Sequence, residues 1–422
     1  MRALLVLIAL MPLAAHAQGT DPNPPWSYDP IGVGNVRAYA QEGTGPMPYW
    51  RTDSPAALTL DGERWVVRRT QRFLRHPDLN WRRDEDRMLV RFDTAAVNVA
   101  VRGGAGDRDH LYPCRLDLPI PAANPAECGD GSVYSVWGEL SVQIGSESVT
   151  RPVRAFDGAI PGPVLAAGIG DVGGQSEGGG AVRLAYAVVG GEAFSSRPEF
   201  YPATDLDPTP AHRYYPLAVG NEWQYEWRGI AAEVVEVVRR VVTGTVEVDG
   251  QTYFEIAEDR TVPGDPTWTP AGTRRLRFDT LSARVLSPEG LSLTPCPFDE
   301  PFNRDAPQVF CGDGETASEA TYATGGPLTV ETTAGPVGTR TREYPHFAGD
   351  SGTQVYVAGI GDYGQYGFWD YNVAFQLRYA RVLQDDGSVW VVGTRYPVAT
   401  GGEPDRAPLA LSASPSPTAG PL

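Results

Sequence analysis

The chain states one ordered set of residues twice. Tyr28, Pro30, Val33, Gly34, Asn35 and Tyr39 recur at the same spacing as Tyr214, Pro216, Val219, Gly220, Asn221 and Tyr225. Arg91-Phe92-Asp93-Thr94 recurs as Arg277-Phe278-Asp279-Thr280. Cys114 and Cys128-Gly129-Asp130-Gly131 recur as Cys296 and Cys311-Gly312-Asp313-Gly314, and Ala167-Gly168-Ile169-Gly170-Asp171 recurs as Ala358-Gly359-Ile360-Gly361-Asp362. The order never changes, and the offset stays between 182 and 191. That period is too long for a solenoid unit and suits a whole domain. Two homologous domains in tandem are expected, over 28–198 and 214–397, with a Pro- and Asp-containing linker over 199–213.

Each copy reads as sheet. The chain holds 48 Gly and 38 Pro among 422 residues, dispersed between apolar stretches. That is well above the combined average of roughly 12% and is the composition of a turn-rich β protein. Apolar alternation with period two flanks Asp61-Gly62 and Asp249-Gly250, which predicts strand, tight turn, strand at both places. Phe375–Leu383 followed by Val389–Val392 predicts a later hairpin, with Val182–Val189 as its counterpart. The best helix candidate is Ile230 to Val242, with Ala231, Ala232 and two Glu, but its stretch from Val234 to Val242 is too β-branched and is read as strand. Antiparallel sheets of eight to eleven strands curl or close to hide their edges. The expected fold class is therefore all-β, two homologous antiparallel curved-sheet or barrel domains in tandem.

Met1-Arg2, an apolar run from Ala3 to Ala15 and Ala15-His16-Ala17 read as a signal peptide over 1–17, cleaved to leave Gln18. The apolar run is too short to span a bilayer, and no integral membrane span is expected. Export makes cysteine pairing plausible. Of the three connectivities of Cys114, Cys128, Cys296 and Cys311, the duplication selects Cys114–Cys128 and Cys296–Cys311, since each copy should carry its own bridge. Buried free thiols are the alternative; a zinc site lacks both the C-x2-C knuckle and a repeated His. All 35 basic residues are Arg, and the net charge is −17. That charge argues against a nucleic-acid partner and against an anionic membrane surface.

Gly168-Ile169-Gly170-Asp171-Val172-Gly173 and Gly359–Gly364 both match G-x-G-x-x-G. Neither is followed by a helix start, so a turn with close backbone approach is expected instead of a dinucleotide site. Gly349-Asp350-Ser351-Gly352 is similar to a serine-protease nucleophile segment, but none of His76, His110, His212 and His346 has the setting of a catalytic base. The Asp-Gly pairs after Cys128 and Cys311 read as turns, not as a calcium loop. Aromatic residues gather at Trp223, Tyr225 and Trp227 and at Tyr363, Tyr366, Phe368, Trp369 and Tyr371. If exposed, Trp223, Tyr225, Tyr366, Trp369 and Tyr371 would suit stacking on sugar rings or a protein partner; in strands, half of them would face the core.

Tyr215-Pro216-Leu217-Ala218-Val219-Gly220-Asn221-Glu222-Trp223-Gln224-Tyr225 resembles the Y-P-L-x-x-G-N-x-W-x-Y opening of uncharacterised secreted β-rich proteins of Bacteroidota-like bacteria. The resemblance continues through Val357–Gly364 and Leu377–Tyr379 and is looser in the first copy, where Val36 is read in place of the Trp. It implies a fold and an exported location, not a reaction. The Gly/Pro/Ser-rich tail over 398–422 is similar to the start of a type IX secretion C-terminal sorting domain, with Ser416 where Asn is usual.

These readings predict an exported, non-catalytic protein with a surface, adhesive or ligand-binding role. Its partner would be a cell-surface or extracellular glycan or protein, and no catalytic residue, metal or cofactor is expected. A secreted glycosidase-like hydrolase and a lipocalin-like carrier of an apolar ligand are the alternatives.

Overall fold

The computed structural model describes residues 23–41, 49–75, 80–103, 109–118, 126–128, 133–144, 146–157, 161–175, 181–195, 204–205, 209–229, 233–294, 296–300, 302–303, 309–310, 321–322, 328–333, 335–345, 353–366 and 374–396. Among them the regular structure is β, apart from two short 3-10 turns, Pro25–Tyr28 and Ala211–Tyr214. The proposed leader over 1–17 and the tail over 398–422 lie outside the described residues.

The second half is built around one curled sheet, beside a separate pair of strands, Leu328–Thr332 and Gly335–Thr339. In spatial order the sheet's strands are Arg284–Leu286, Thr269–Asp279, Gln251–Thr261, Val234–Val248, Glu222–Arg228, Ala374–Leu383, Gly361–Tyr366, Thr353–Val357 and Thr341–Pro345, with Val389–Gly393 also on Ala374–Leu383. The pairings are antiparallel, and among the described residues the sheet is a half-barrel whose two edge strands do not pair with each other. Val234–Val248 is strand, as its β-branched composition predicts.

The first half uses the same order but breaks it. Its larger sheet runs Gly173–Gln175, Ala181–Val189, Val36–Gln41, Tyr49–Leu60, Glu63–Arg75 and Asn80–Asp93. A separate sheet holds Gly170–Asp171, Pro161–Ala166, Glu147–Asp157, Val133–Ile144 and Ala126–Glu127. The split falls at Val172, where the second half keeps one unbroken strand, Gly361–Tyr366.

Both Asp-Gly pairs make the expected turns. Asp61 and Gly62 have φ of 54° and 79°, and Asp249 and Gly250 have 51° and 72°. Two positive φ values in succession give the turn whose twist matches flanking strands.

Each half has its own aromatic core. In the second, Tyr214 stacks on Phe298 at 5.9 Å and Tyr356 meets Phe298 edge-on at 5.0 Å, above Val242, Ile256 and Leu276. In the first, Tyr112 stacks on Phe156 at 5.7 Å beside Tyr28, Leu116 and Leu165. Burying each such side chain stabilises by about 1.5–3 kcal/mol. Cys114 and Cys128 are bridged, with Cα atoms 5.6 Å apart. Cys296 is also disulfide-bonded, and its expected partner Cys311 lies outside the described residues.

The halves are joined more closely than a linker implies. Arg69 donates to the Asp299 carbonyl at 2.9 Å and to its carboxylate at 3.0 Å, while also pairing with Asp53. Arg87 reaches the same carboxylate at 2.7 Å, and Gln71 donates to Glu300 at 3.1 Å. Thr204–Asp205, inside the expected linker, pairs with Phe302–Asn303. Val309–Phe310 adds a parallel bridge to the first half's Asn80–Asp93 strand, a departure from purely antiparallel pairing.

Candidate functional site

The core-facing side of the second-half sheet changes character along its strands. Directly opposed residues in antiparallel strands share a face, so the rows can be read from the register. Val242 and Ile256 lie opposite each other in the core, with Arg274 next in that row. The next row is Trp223, Arg240, Glu258 and Gly272. Beyond it come Tyr225, Val238 and Arg260, then Phe375, Trp227 and Glu236 at the end of the sheet. Apolar packing thus gives way to charge and then to aromatic residues at the open end of the sheet, its mouth.

The charged groups form one ladder. Arg240 pairs with Asp362 at 3.4 Å and with Glu258 at 3.2 Å. Glu258 also holds Arg260 at 2.9 Å and Arg274 at 3.3 Å, and Arg260 reaches Glu236 at 3.5 Å. The Arg240 guanidinium lies 5.0 Å from the Tyr225 ring centre and 5.2 Å from that of Phe375, which stack on each other at 4.4 Å. The ladder runs from buried Asp362 out to Arg260, Arg274 and Trp227, which is 42% exposed.

Burial pushes the Asp362 carboxyl up, although Arg240 and the Gly364 N–H oppose it. Burial also acts against the charge of Glu258, but Arg260, Arg240 and Arg274 outweigh it and hold its carboxyl below the usual range. Tyr215, behind the ladder, is pushed up to about 12 by burial. Neighbouring carboxylates with opposite shifts hold different protonation preferences, and the ladder offers both donors and acceptors at its open end. Among the described residues, no three metal-ligating side chains gather.

The sequence-predicted stacking residues are distributed unevenly. Trp223 and Tyr225 are 4% and 1% exposed and belong to the core. Trp223 donates its indole N–H to the Ile360 carbonyl at 2.6 Å, and the Tyr225 hydroxyl donates to the Asp362 carbonyl at 3.2 Å. Neither presents a free ring face, so these two are among the residues that face the core. Tyr366 ends the Gly361–Tyr366 strand, and Trp369 and Tyr371 lie outside the described residues. Among the described residues of the cluster, the exposed aromatic is Trp227. Arg240, Glu258, Arg260 and Arg274 were not singled out by the sequence. Their signal is the parity they share with Phe254, Ile256 and Leu276: charges at positions where alternation calls for apolar residues.

The first half repeats the frame with other groups at the places of Arg240 and Glu258. Tyr39 donates to the Asp171 carbonyl at 3.1 Å, and Asn35 and Asn221 donate to the carbonyls of Pro30 and Pro216 at 2.9 and 3.0 Å. Gly168 and Gly359 donate at 2.7 Å to Ser27 and Arg213. Arg37, not Val36, stands where Trp223 does: Arg37 opposes Thr52 as Trp223 opposes Arg240, while Val36 corresponds to Glu222. Thr52 and Thr70 then occupy the places of Arg240 and Glu258, 3.4 Å apart through their hydroxyls.

The glycine motifs are structural. Gly168, Gly170 and Gly173, like Gly359, Gly361 and Gly364, have positive φ. A Cβ on Gly170 would lie 2.4 Å from the Arg37 guanidinium, and one on Gly361 3.3 Å from the Trp223 indole. The motif is shaped for close approach of these side chains, as the missing helix start implies.

No protein-family model matches the chain, and no curated protein matches it. Two solved structures are similar to parts of it. One is a protein of Bacteroides fragilis, provisionally described as exported and as having a YmcC-like fold; it is 12% identical, covers 39% of this chain and 96% of its own, with a TM-score of 0.20. The other, provisionally described as a lipoprotein, is from Parabacteroides distasonis; it is 13% identical, covers 44% of this chain and 96% of its own, with a TM-score of 0.21. Likeness at that level carries no argument about this chain. Among the described residues, no helix is long and apolar enough to cross a membrane.

Proposed function

We propose that this is an exported, non-catalytic tandem β-domain protein with a ligand-binding role at a surface, and that the second half carries the binding. The observation behind this reading is the mouth itself, where exposed Trp227 lies beside a ladder of paired charges that ends in the half-exposed side chains of Arg260 and Arg274. Binding sites join an apolar wall to a few convergent polar groups. The leader sequence and the cysteine bridging support an oxidising, exported location. The repeated frame of hydrogen bonds supports two homologous domains. The glycosidase-like alternative needs two carboxyls facing each other across a substrate; here the carboxylates of Glu258 and Glu236 are engaged by arginines. The carrier alternative needs a hollow sheet, and Tyr214, Phe298, Tyr344 and Tyr356 fill the second-half core.

Incubating the purified protein with a panel of polysaccharides and peptides tests the non-catalytic reading. Unchanged substrates are expected, and sustained product release would sink it.

A further inference from the structure

We infer that the mouth of the second half binds an uncharged saccharide, and that the first half does not bind it. This rests on the mouth being a binding site. The first argument is charge balance. Asp362, Glu258 and Glu236 face Arg240, Arg260 and Arg274, three of each sign. An anion arriving at Arg260 and Arg274 meets Glu258 and Glu236 behind them, and a cation arriving at Glu236 meets Arg260. A ligand without net charge escapes both penalties.

The second argument is chemical form. Every sugar hydroxyl both donates and accepts, and the open end of the ladder alternates guanidinium donors with carboxylate acceptors. The C–H face of a pyranose needs an apolar plate, and Trp227 supplies one, opposite Glu236 on one neighbouring strand and Phe375 on the other. The ladder is also pre-organised: buried Glu258, itself paired with the half-buried Arg240, holds the outer arginines in place, so less order must be imposed on binding.

The third argument is the contrast between halves. Thr52 and Thr70 replace the Arg240–Glu258 pair, and the position of Trp227 falls on Gln41 at the constant offset of this segment. The first half keeps the frame but fills it differently: in the row of Val238 and Arg260 it places Trp50 beneath the Arg72 guanidinium at 5.5 Å.

The test is calorimetric titration of the full-length mature protein with uncharged hexasaccharides of the cello, xylo, manno, malto and N-acetylglucosamine series. Oligogalacturonate and a heparin hexasaccharide serve as charged comparators. At least one uncharged series is expected to bind. Trp227→Ala and, separately, Arg274→Gln should weaken it at least tenfold, with circular dichroism unchanged. Trp26→Ala, which removes the more exposed Trp26 of the first half, should leave it unaltered. Arg274 is half-exposed, so Arg274→Gln keeps the test open if Trp227→Ala fails to fold. Binding of only charged oligosaccharides, lost in Trp227→Ala, would overturn the ligand class and leave the mouth as a site. Binding of no saccharide, or binding indifferent to both substitutions, would overturn the inference.

Discussion

Arg37 and Trp223 occupy the same place in the two halves and make the same hydrogen bond. Arg37 Nε donates to the Ile169 carbonyl at 2.7 Å, and Trp223 Nε1 donates to the Ile360 carbonyl at 2.6 Å. Each bond ties the first strand of its half to a glycine turn that precedes an aspartate, Asp171 or Asp362. The charge that attends that aspartate has moved. In the first half Arg37 itself lowers the cost of Asp171; in the second, Arg240 from the neighbouring strand does so for Asp362. Arg37 with Thr52 and Trp223 with Arg240 are therefore two solutions to one local problem.

If so, Trp223→Arg alone places two guanidinium groups side by side and forfeits a buried indole, at a cost of about 3 kcal/mol. Adding Arg240→Thr recreates the first half's pair and should recover at least half of the loss. Urea unfolding of the two single variants and the double variant gives the coupling energy. Strictly additive losses would show that the two pairs are unrelated.

What the sequence made legible follows the physics of short range. The hairpins over Tyr49–Arg75 and Val234–Thr261 are visible because Asp-Gly dictates the turn and period two dictates the faces. The buried position of Tyr225 is foreshadowed by the same alternation. The alignment of Arg37 with Trp223 is legible too, at the offset that takes Tyr28 to Tyr214 and Tyr39 to Tyr225. Two features were beyond that reach. The mouth joins charges from separate strands, and none of them is unusual taken singly. The lock between the halves depends on Asp299, whose counterpart in the first half, Asp117, pairs locally with Arg115 and sits at the surface.

That lock should respond to acid. Burial works against the charge on Asp299, but Arg87 and Arg69 outweigh it and hold the carboxyl below its ordinary value of 3.8. A depressed carboxyl contributes stability that is complete above the unfolded value and is lost as pH falls through the folded one. Unfolding free energy measured from pH 6 down to pH 2 should therefore drop below about pH 4, and Asp299→Asn should remove part of that drop. At neutral pH the same substitution should cost about 3 kcal/mol, because it strands buried guanidinium groups. Parallel pH profiles for the two proteins would contradict this account.

The second bridge can be read chemically. Non-reducing digestion and mass spectrometry should recover a peptide pair joining Cys296 to Cys311, alongside the Cys114–Cys128 pair. Each closes a loop of about 15 residues, so Cys114→Ser with Cys128→Ser should lower stability by roughly 3 kcal/mol. Recovery of a peptide linking Cys296 to the first half would break the correspondence between the copies.

The glycine turns give the sharpest contrast. Gly168 has a φ of +79° with nothing within 4 Å of a built Cβ, so Gly168→Ala pays only the left-handed backbone penalty, about 1–2 kcal/mol. Gly364 has a φ of +119°, and its Cβ would fall 2.0 Å from the Phe375 carbonyl oxygen, a backbone atom held by pairing with neighbouring strands. That contact cannot be relieved by a rotamer change. Gly364→Ala must part the Gly361–Tyr366 and Ala374–Leu383 strands, and it should cost more than about 3 kcal/mol or prevent folding. Because Phe375 also stacks on Tyr225, any folded Gly364→Ala protein should show an altered near-ultraviolet aromatic signal, while Gly168→Ala should not. Equal losses for the two substitutions would mean that backbone conformation, not the approach of the two strands, is what the glycines serve.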